Sequence, residues 1–355
     1  MNVKIKWLRN KLNLLDMQGM IVSNPVNIYY LTGISMETEG TLLITRKENI
    51  YITDSRYIES VNRVLTIDDE IIVYNVKDVS KDDYENFFMF CENVGFEEAY
   101  VTYAKYKEYM HMYKINNLVE TENLLENQRM VKDEEEIECI KKACKITDDC
   151  FEHLCNFIKK GMTEKQIAME IEQYFKMNGA EGTSFDSIVA SGPNSSMPHA
   201  VPTERKIEAG DPITIDFGCT YKGYCSDMTR TIFMEYVPEE IKPIYNLVLK
   251  NQNQTLDEMK EGANARILTM MVESDFKIHG YTLDHSLGHG LGLEIHESPT
   301  IGRKDYLLKD NMTVTDEPGI YIPGKFGVRI EDTVQITKNG CIKLTNSDKN
   351  YIILK

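Results

Sequence analysis

Apolar residues in the first third of the chain switch between helical and strand-like spacing. They recur at helical intervals over residues 2–18, and Gly19 then ends the pattern, which predicts an amphipathic helix. Short apolar runs predict strands at 20–23, 41–45, 49–53 and 71–76, with the second and third paired as a hairpin. Strands that alternate with helices predict a small α/β domain.

The spacing then changes to that of longer helices. A helical pattern over residues 133–160 ends at Gly161. Thr163 and Gln166 form a capping-box pattern for the next helix, which Gly179 ends. This part of the chain is therefore predicted to contain two long, consecutive helices.

Further helices and two strand pairs follow. Pro238 is predicted to start a helix at its first position, and another helix is predicted over residues 264–278, ahead of Gly280. Alternating apolar residues predict two hairpins, 212–219 with 224–234 and 312–317 with 328–336. Hairpins of this kind would supply the middle of a sheet.

The change of pattern predicts a domain boundary near residue 125. The predicted fold class is an α/β domain at residues 1–125, followed by an α+β domain at residues 126–355. A chain of 355 residues is long enough for two such domains, each with its own core.

Composition and charge exclude two broad classes of function. The net charge is −16, and no cluster of Lys and Arg with interleaved aromatic residues is present, which argues against nucleic-acid binding. No apolar run reaches the roughly 18–20 residues of a membrane span, and residues 1–10 lack the apolar core of an export signal, so we expect a cytoplasmic protein. The 8 cysteines form no Cys-x-x-Cys pair and are expected to be free thiols.

Two aspartates occupy the strands of the first predicted hairpin. A turn centred between residues 221 and 222 would place Asp216 directly opposite Asp227, with Cβ atoms about 5 Å apart. The flanking residues are apolar, which predicts burial, and buried unpaired like charges cost several kcal/mol or force protonation. A cation between the carboxylates would remove this conflict. A single Asp could equally be a turn or surface residue.

Two glutamates repeat the same arrangement. Glu317 and Glu331 bracket a turn-rich stretch, and a hairpin centred near Gly324 would place them opposite each other. The recurrence of paired carboxylates on two hairpins predicts a ligand set rather than a chance feature of the surface.

The stretch at residues 285–296 is rich in histidine and glycine and would supply an imidazole ligand. Gly288 and Gly290 argue against a helix, and therefore against His285 and His289 as a helical ligand pair. The glycines are expected to let the backbone pass close to the metal centre. Four carboxylates and one imidazole suit two divalent ions, for which manganese, cobalt, zinc and iron are all admissible.

Two further residues near these motifs need separate interpretation. His199 lies in a loop-like segment, residues 191–201, and is a weak candidate by itself. Asp316 precedes Glu317, so strand alternation predicts that its side chain points away from the metals.

These residues, in this order, resemble the five metal ligands of the methionine aminopeptidase, prolidase and aminopeptidase P superfamily. The matching strings are Thr-Ile-Asp-Phe-Gly, Ser-Asp-Met-Thr-Arg-Thr, Gly-His-Gly-Leu-Gly-Leu-Glu-Ile-His-Glu, Glu-Pro-Gly-Ile-Tyr and Val-Arg-Ile-Glu-Asp. Residues 24–33 resemble the creatinase-type N-terminal domain. The resemblance implies a pita-bread catalytic domain after a smaller α/β domain, usually in homodimers.

The resemblance also implies which residues bind metal. Asp216 would bind one of two ions, and Asp227 and Glu331 would bridge them. His289 and Glu317 would bind the second ion, and Glu317 would also carry a proton during the reaction.

Other residues are implied to act on the substrate. His199 and His296 match histidines that contact the substrate and stabilise the tetrahedral intermediate. Arg329 matches an arginine that supports substrate or carboxylate binding, and His285 is expected to lie behind these groups.

The predicted function is an Xaa-Pro aminopeptidase with two divalent metal ions, manganese being favoured. Its partners would be short peptides with proline in the second position and a second copy of the chain, with no nucleic acid or membrane. An Xaa-Pro dipeptidase (a prolidase) with the same site is the alternative, because the metal motifs do not separate the two activities. A non-catalytic binding protein on the same fold is less favoured, since all five ligands are present.

Overall fold

The computed structural model describes residues 2–355, apart from the side chain of Asp68. The chain forms two units, one ending at Gln128 and the other covering Arg129–Lys355. Among the described residues, none of the helices combines the length and apolar character needed to cross a membrane.

The described part of the first unit contains a six-stranded sheet with helices between its strands. The strands are β1 (Gly19–Val22), β2 (Gly40–Ile44), β3 (Asn49–Thr53), β4 (Ile71–Asn75), β5 (Asn93–Phe96) and β6 (Asn117–Glu120). Their spatial order is β4-β3-β2-β1-β5-β6, in which β2 pairs antiparallel with β1 and β3 and the other pairs are parallel. The helices are α1 (Val3–Leu14), α2 (Pro25–Thr32), α3 (Ile58–Val64), α4 (Lys81–Phe87), α5 (Tyr103–Met112) and α6 (Leu124–Arg129), whose last residue belongs to the second unit. The predicted α/β character and the predicted hairpin are confirmed.

The first helix is shorter than its apolar spacing predicts. The pattern continues to residue 18, but α1 ends at Leu14 and Asp16 has a φ of 54°. A residue in the left-handed region cannot continue a right-handed helix. The helical spacing of apolar side chains therefore continues past the residue at which the helix ends.

A buried carboxylate in the first unit caps the start of α2. Glu97 accepts hydrogen bonds from the backbone N–H groups of Ser23 (2.6 Å) and Asn24 (2.8 Å) and from the side-chain amide of Asn27 (2.7 Å). The Asn27 amide also donates to Glu126, at 2.6 Å. Burial is the main cause that raises the pKa of Glu97 to about 7. Between pH 4.5 and about 7 the folded unit therefore keeps a proton that the unfolded chain has released.

We expect the stability of the first unit to fall as the pH rises from about 4.5 to about 7. The raised pKa of Glu97 means that the folded state binds more protons than the unfolded state over this range, a difference of roughly 3 kcal/mol at most. Glu97→Gln should flatten this pH dependence. The single tryptophan, Trp7, lies in α1, so urea unfolding followed by its fluorescence reports on this unit. Equal slopes in the variant and the original chain would contradict the prediction.

The second unit contains four sheets among its described residues. The helices are α7 (Glu134–Phe157), α8 (Glu164–Met177), α9 (Lys242–Glu258) and α10 (Ala265–Ile278). The strands are β7 (Gly182–Thr183), β8 (Ile188–Ser191), β9 (Pro212–Phe217), β10 (Cys219–Tyr221), β11 (Tyr224–Cys225), β12 (Met228–Met234), β13 (Gly288–Gly290), β14 (Glu297–Ile301), β15 (Thr313–Asp316), β16 (Gly319–Ile322), β17 (Phe326–Arg329), β18 (Asp332–Thr337), β19 (Gly340–Lys343) and β20 (Ile353–Leu354). The sheets have the orders β20-β12-β9-β8, β14-β13-β15-β18-β19, β11-β10-β7 and β16-β17.

Each half of the second unit packs a pair of helices on a sheet. One apolar core joins α7 and α8 to β8, β9 and β12 and includes Ile171 and Phe217. A second core joins α9 and α10 to β15 and β18 and includes Val272 and Val334. Burial of these helix and sheet faces places the two predicted hairpins in the centre of the unit.

One helix boundary predicted for this unit is wrong. α9 begins at Lys242 with Pro243 in its first turn, whereas Pro238 begins the preceding turn. Both prolines fit a position before or within a first helical turn, so the sequence alone does not separate them. The capping box of Thr163 and Gln166 at the start of α8 is confirmed.

Candidate metal centre

The first hairpin brings Asp216 and Asp227 to one face, in a register that differs from the prediction. Asp216 on β9 pairs with Thr229 on β12, not with Asp227. Lys222 and Gly223 both have positive φ and form the two-residue turn, so the hairpin is centred later in the chain than predicted. The residue opposite Asp216 is thus shifted by two positions, from Asp227 to Thr229. Because side chains along a strand alternate with a period of two, Asp227 still faces the same side of the sheet as predicted.

The second hairpin has the predicted register. β15 pairs with β18 and β16 pairs with β17 in one continuous register centred at Gly324, which places Glu317 opposite Glu331. Both glutamates lie in the break between these two ladders. The backbone N–H of Glu331 donates to the carbonyl of Thr229 at 3.1 Å, so the second hairpin is joined to the first.

The glycines beside His289 allow close packing of neighbouring strands. A Cβ on Gly288 would lie 2.1 Å from the carbonyl oxygen of Thr315, and one on Gly290 would lie 2.5 Å from that of Ser298. Side chains larger than hydrogen cannot fit at these distances. The expected close approach is therefore to adjacent backbone, which corrects the prediction that it is to the metal centre.

His289 presents a free ring nitrogen to the carboxylates. Its Nδ1 lies 3.1 Å from the carbonyl of Gly290, and its Nε2 lies 3.5 Å from Asp227 Oδ2 and 3.6 Å from Glu317 Oε1. Burial lowers the pKa of His289 to about 4, so the ring is neutral at pH 7. Since a carbonyl can only accept, Nδ1 carries the hydrogen and the lone pair of Nε2 faces the carboxylates.

Buried carboxylate oxygens without partners indicate that this cluster fits a divalent cation. Ligand atoms of Asp227, His289 and Glu331 all lie within 4.8 Å of one another. In the described part of the chain, Asp216 Oδ1, Asp227 Oδ1 and Glu331 Oε1 are buried and have no hydrogen-bond partner. Oxygens of this kind are costly to bury unless a cation or a proton compensates their charge.

Without a cation, the cluster retains protons. Burial, together with the charge of Glu331, raises the pKa of Asp227 and Glu317 well above the ordinary carboxyl range. Burial and the charge of Asp216 raise the pKa of Glu331 to about 8. A metal ion that binds here at neutral pH must therefore displace protons.

A directed chain of hydrogen bonds runs outward from Asp216. Arg329 donates from Nη2 to Asp216 Oδ2 (2.6 Å) and from Nη1 to the hydroxyl of Tyr321 (2.7 Å). Tyr321 lies 3.0 Å from His285 Nε2, and His285 Nδ1 lies 2.8 Å from the carbonyl of Ser286. Because the carbonyl must accept, His285 Nδ1 donates and Nε2 accepts from Tyr321. Arg329 thus holds Asp216 directly, and His285 supports Arg329 through the hydroxyl of Tyr321.

The sequence patterns did not single out two residues that belong to this site, Thr229 and Tyr321. Thr229 donates from its hydroxyl to Glu331 Oε2 at 2.7 Å, and Tyr321 has the contacts described above. Thr229 lies two positions after Asp227, and Tyr321 lies four positions after Glu317. Strand alternation from the two carboxylates places both residues on the side of the site, so the signal was available.

Asp316 points away from the cluster, as alternation predicts. It is fully buried, and the hydroxyl of Thr255 on α9 donates to its Oδ2 at 2.5 Å. Burial raises its pKa well above the ordinary carboxyl range. Burial therefore favours the neutral form of this side chain, which lies on the opposite face of β15.

The carboxylate cluster lies in a cavity of about 490 Å³ whose wall includes two exposed histidines, His199 and His296. The ring of His296 packs edge-to-face on that of His289, with centroids 4.4 Å apart. Phe185 and Ile188 add an apolar part to the wall. The structure thus brings all the predicted site residues to one cavity, with Arg329 and His285 at its base.

The backbone segment that carries His296 is fixed by buried ion pairs of the adjacent residue, Glu297. Glu297 accepts from Arg129 Nη2 at 2.6 Å and from Lys132 Nζ at 2.9 Å, and all three side chains are at most 4% exposed. Glu297 also accepts from the backbone N–H groups of Leu293 (3.0 Å) and Glu294 (3.2 Å). Sequence spacing gave no sign of this network, because Arg129 and Lys132 are far from Glu297 along the chain.

Comparisons with known proteins identify relatives over the whole chain. Residues 138–338 match the model of metallopeptidase family M24, and residues 4–131 match the creatinase/prolidase N-terminal domain. An Xaa-Pro dipeptidase of Pyrococcus horikoshii is 34% identical over 99% of both chains. Two solved structures are similar: an Xaa-Pro dipeptidase from Bacillus anthracis (36% identity, TM-score 0.93, 99% of both chains) and an X-Pro aminopeptidase from Thermotoga maritima (32% identity, TM-score 0.89, 97% of this chain and 100% of that one). The predicted fold class, an α/β domain before a pita-bread domain, is confirmed.

Proposed function

The chain belongs to metallopeptidase family M24, and on this premise we propose that it is an Xaa-Pro dipeptidase that uses two divalent metal ions. The buried, unpartnered carboxylate oxygens beside His289 carry the metal part of the proposal. The substrate part is supported by full-length relatives that are named Xaa-Pro dipeptidases. These relatives favour the dipeptidase over the aminopeptidase that the sequence alone had favoured.

The proposed metal ligands are the carboxylates and the imidazole of the cluster: Asp216, Asp227, His289, Glu317 and Glu331. Manganese is the favoured ion, and cobalt, zinc or iron would suit the same mixture of oxygen and nitrogen ligands. When bound, the ions would supply a water of lowered pKa and polarise the scissile carbonyl.

The side chains around the cluster would move protons and bind the substrate. Glu317 would take a proton from the attacking water and pass it to the leaving proline nitrogen, which has no hydrogen of its own as a tertiary amide. His199 and His296 are exposed in the cavity and would donate hydrogen bonds to the developing negative charge.

Arg329 is better placed to hold a metal ligand than to bind substrate. Its guanidinium donates to Asp216, to the hydroxyls of Tyr321 and Thr229, and to the carbonyl of Pro198. We therefore propose that it orients Asp216 and the wall of the cavity.

Hydrolysis of Ala-Pro, Ala-Ala and Ala-Pro-Ala-Ala by Mn²⁺-loaded protein, with a chelated control, tests the proposal. We expect cleavage of Ala-Pro, with Ala-Ala and the tetrapeptide cleaved much more slowly. Release of Ala from the tetrapeptide alone would support an aminopeptidase instead. No cleavage of either proline peptide with any of the four candidate metals would contradict a proline-specific exopeptidase.

The same preparations distinguish a non-catalytic binding protein. Elemental analysis after mild purification in Mn²⁺ is expected to show bound metal. A metal-free protein without activity would favour the binding protein.

A further inference from the structure

Glu164 is a buried carboxylate that the proposed reaction does not use. It is the first residue of α8 and is 0% exposed. Burying a carboxylate is costly unless hydrogen bonds or a positive charge compensate it. The cap of α8 does not require it, since Thr163 Oγ1 accepts from the N–H of Gln166 (3.2 Å) and Gln166 Oε1 accepts from the N–H of Thr163 (2.9 Å). Its burial therefore has another role.

The donors to Glu164 come from both ends of the segment at residues 191–203. Oε1 accepts from the backbone N–H and the hydroxyl of Ser191, both at 2.7 Å. Oε2 accepts from the backbone N–H of Thr203 (3.0 Å) and from its hydroxyl (2.6 Å). The amide of Asn194 donates to both oxygens at 3.1 Å. One carboxylate thus closes the loop whose middle contains His199.

His199 depends on this loop for its position. Its ring is exposed, and among the described residues it has no hydrogen-bond partner. Two contacts hold the other side of the loop: the N–H of Gly327 donates to Ser195 Oγ (2.9 Å), and Arg329 donates to the carbonyl of Pro198 (3.2 Å). The loop is therefore fixed between the start of α8 and strand β17.

We propose that Glu164 is a positioning residue that holds His199 at the cavity wall. The role of His199 in binding the substrate rests on the proposed function, whereas the role of Glu164 in holding the loop does not. A glutamine at this position replaces one carboxylate oxygen by an NH2 group. Because Ser191 and Thr203 each present a backbone N–H to the carboxylate, this NH2 group would face another donor and lose the hydrogen bond. Glu164→Gln should therefore loosen the loop with little change in the volume of the side chain.

Hydrogen–deuterium exchange measured by mass spectrometry tests the loop directly. In Glu164→Gln, exchange in peptides covering residues 191–203 is expected to increase, with the rest of the unit unchanged. Glu170→Gln is the matched control: it lies on the same helix and contacts His153 at 2.6 Å rather than the loop. Thr203→Ala removes one donor and should give a smaller change in the same direction if Glu164→Gln does not fold. Unchanged exchange in the loop would overturn the proposal.

Kinetics on Ala-Pro test the link to His199. Glu164→Gln is expected to lower kcat/KM by about 10- to 100-fold, the loss that a small displacement of a positioned group causes, with metal content unchanged. In a His199→Ala background the same substitution should cause less than about a twofold further loss, because the two residues act as a unit. In a His296→Ala background it should keep its full effect. Equal losses in both backgrounds would overturn the link. If the original chain cleaves no Xaa-Pro peptide, the proposed function fails and the exchange measurement alone decides the role of Glu164.

Discussion

Asp227→Asn is expected to abolish hydrolysis and to lower the metal content of the protein. Asp227 shares the cluster with His289 and Glu331, and its Oδ1 is a buried oxygen without a partner among the described residues. The amide removes a negative charge and one oxygen ligand from the site. Because the site is buried, water cannot replace the lost ligand, so the affinity for the metal ion falls. We expect kcat/KM on Ala-Pro to fall by at least about a thousandfold, which corresponds to roughly 4 kcal/mol.

The matched control for this variant is Asp316→Asn. Asp316 adjoins Glu317 but faces α9, and burial raises its pKa and so favours the neutral form, which an amide resembles. This variant should keep its metal and its activity. Metal content by elemental analysis and kcat/KM are measured on both proteins. Full metal occupancy and activity in Asp227→Asn would refute the proposed ligand set.

Chelation is expected to make the stability of the second unit fall as the pH rises. In the metal-free chain, the pKa values of Asp227 and Glu317 are raised well above their usual range and that of Glu331 to about 8. The folded state then binds more protons than the unfolded state, so the free energy of unfolding falls as the pH rises from the ordinary carboxyl range through about 8. The expected loss is on the order of several kcal/mol.

With metal bound, this fall in stability with rising pH should be nearly absent. Protons and metal ions compete for the same oxygens, so the metal-bound site holds no protons, as in the unfolded chain above the ordinary carboxyl range, and the site then adds no pH dependence. A metal concentration a thousandfold above its dissociation constant adds about 4 kcal/mol. Urea unfolding followed by far-UV circular dichroism at pH 6 and pH 8.5, with EDTA or Mn²⁺, measures both trends. Glu97 contributes equally to both arms, so the difference between them isolates the site.

Glu331→Gln provides the control for this experiment. It removes one of the raised pKa values, so the chelated variant should lose less stability between pH 6 and pH 8.5 than the chelated original chain. Parallel trends with EDTA and with Mn²⁺ would show that the carboxylate cluster does not bind the ion.

Local patterns in the sequence were sufficient for much of the fold. Helical spacing, the capping box of Thr163 and Gln166, and alternating strands predicted the elements of both units, because these signals act over a few residues. The fold predictions that were wrong concern helix ends and the register of the first hairpin. α1 ends before its apolar pattern does, and α9 begins near Pro243 rather than at Pro238.

The sequence by itself determined which carboxylates could form a metal site, because strand parity follows from residue spacing, and the resemblance to the family selected His289 among the histidines. Only the tertiary structure decided what surrounds them. It set the register of Asp216 against Thr229 through the turn at residues 222–223. It also brought Glu164 to both ends of the loop that carries His199. Those contacts join residues far apart in the chain, and burial decides their strength, so no local pattern predicts them.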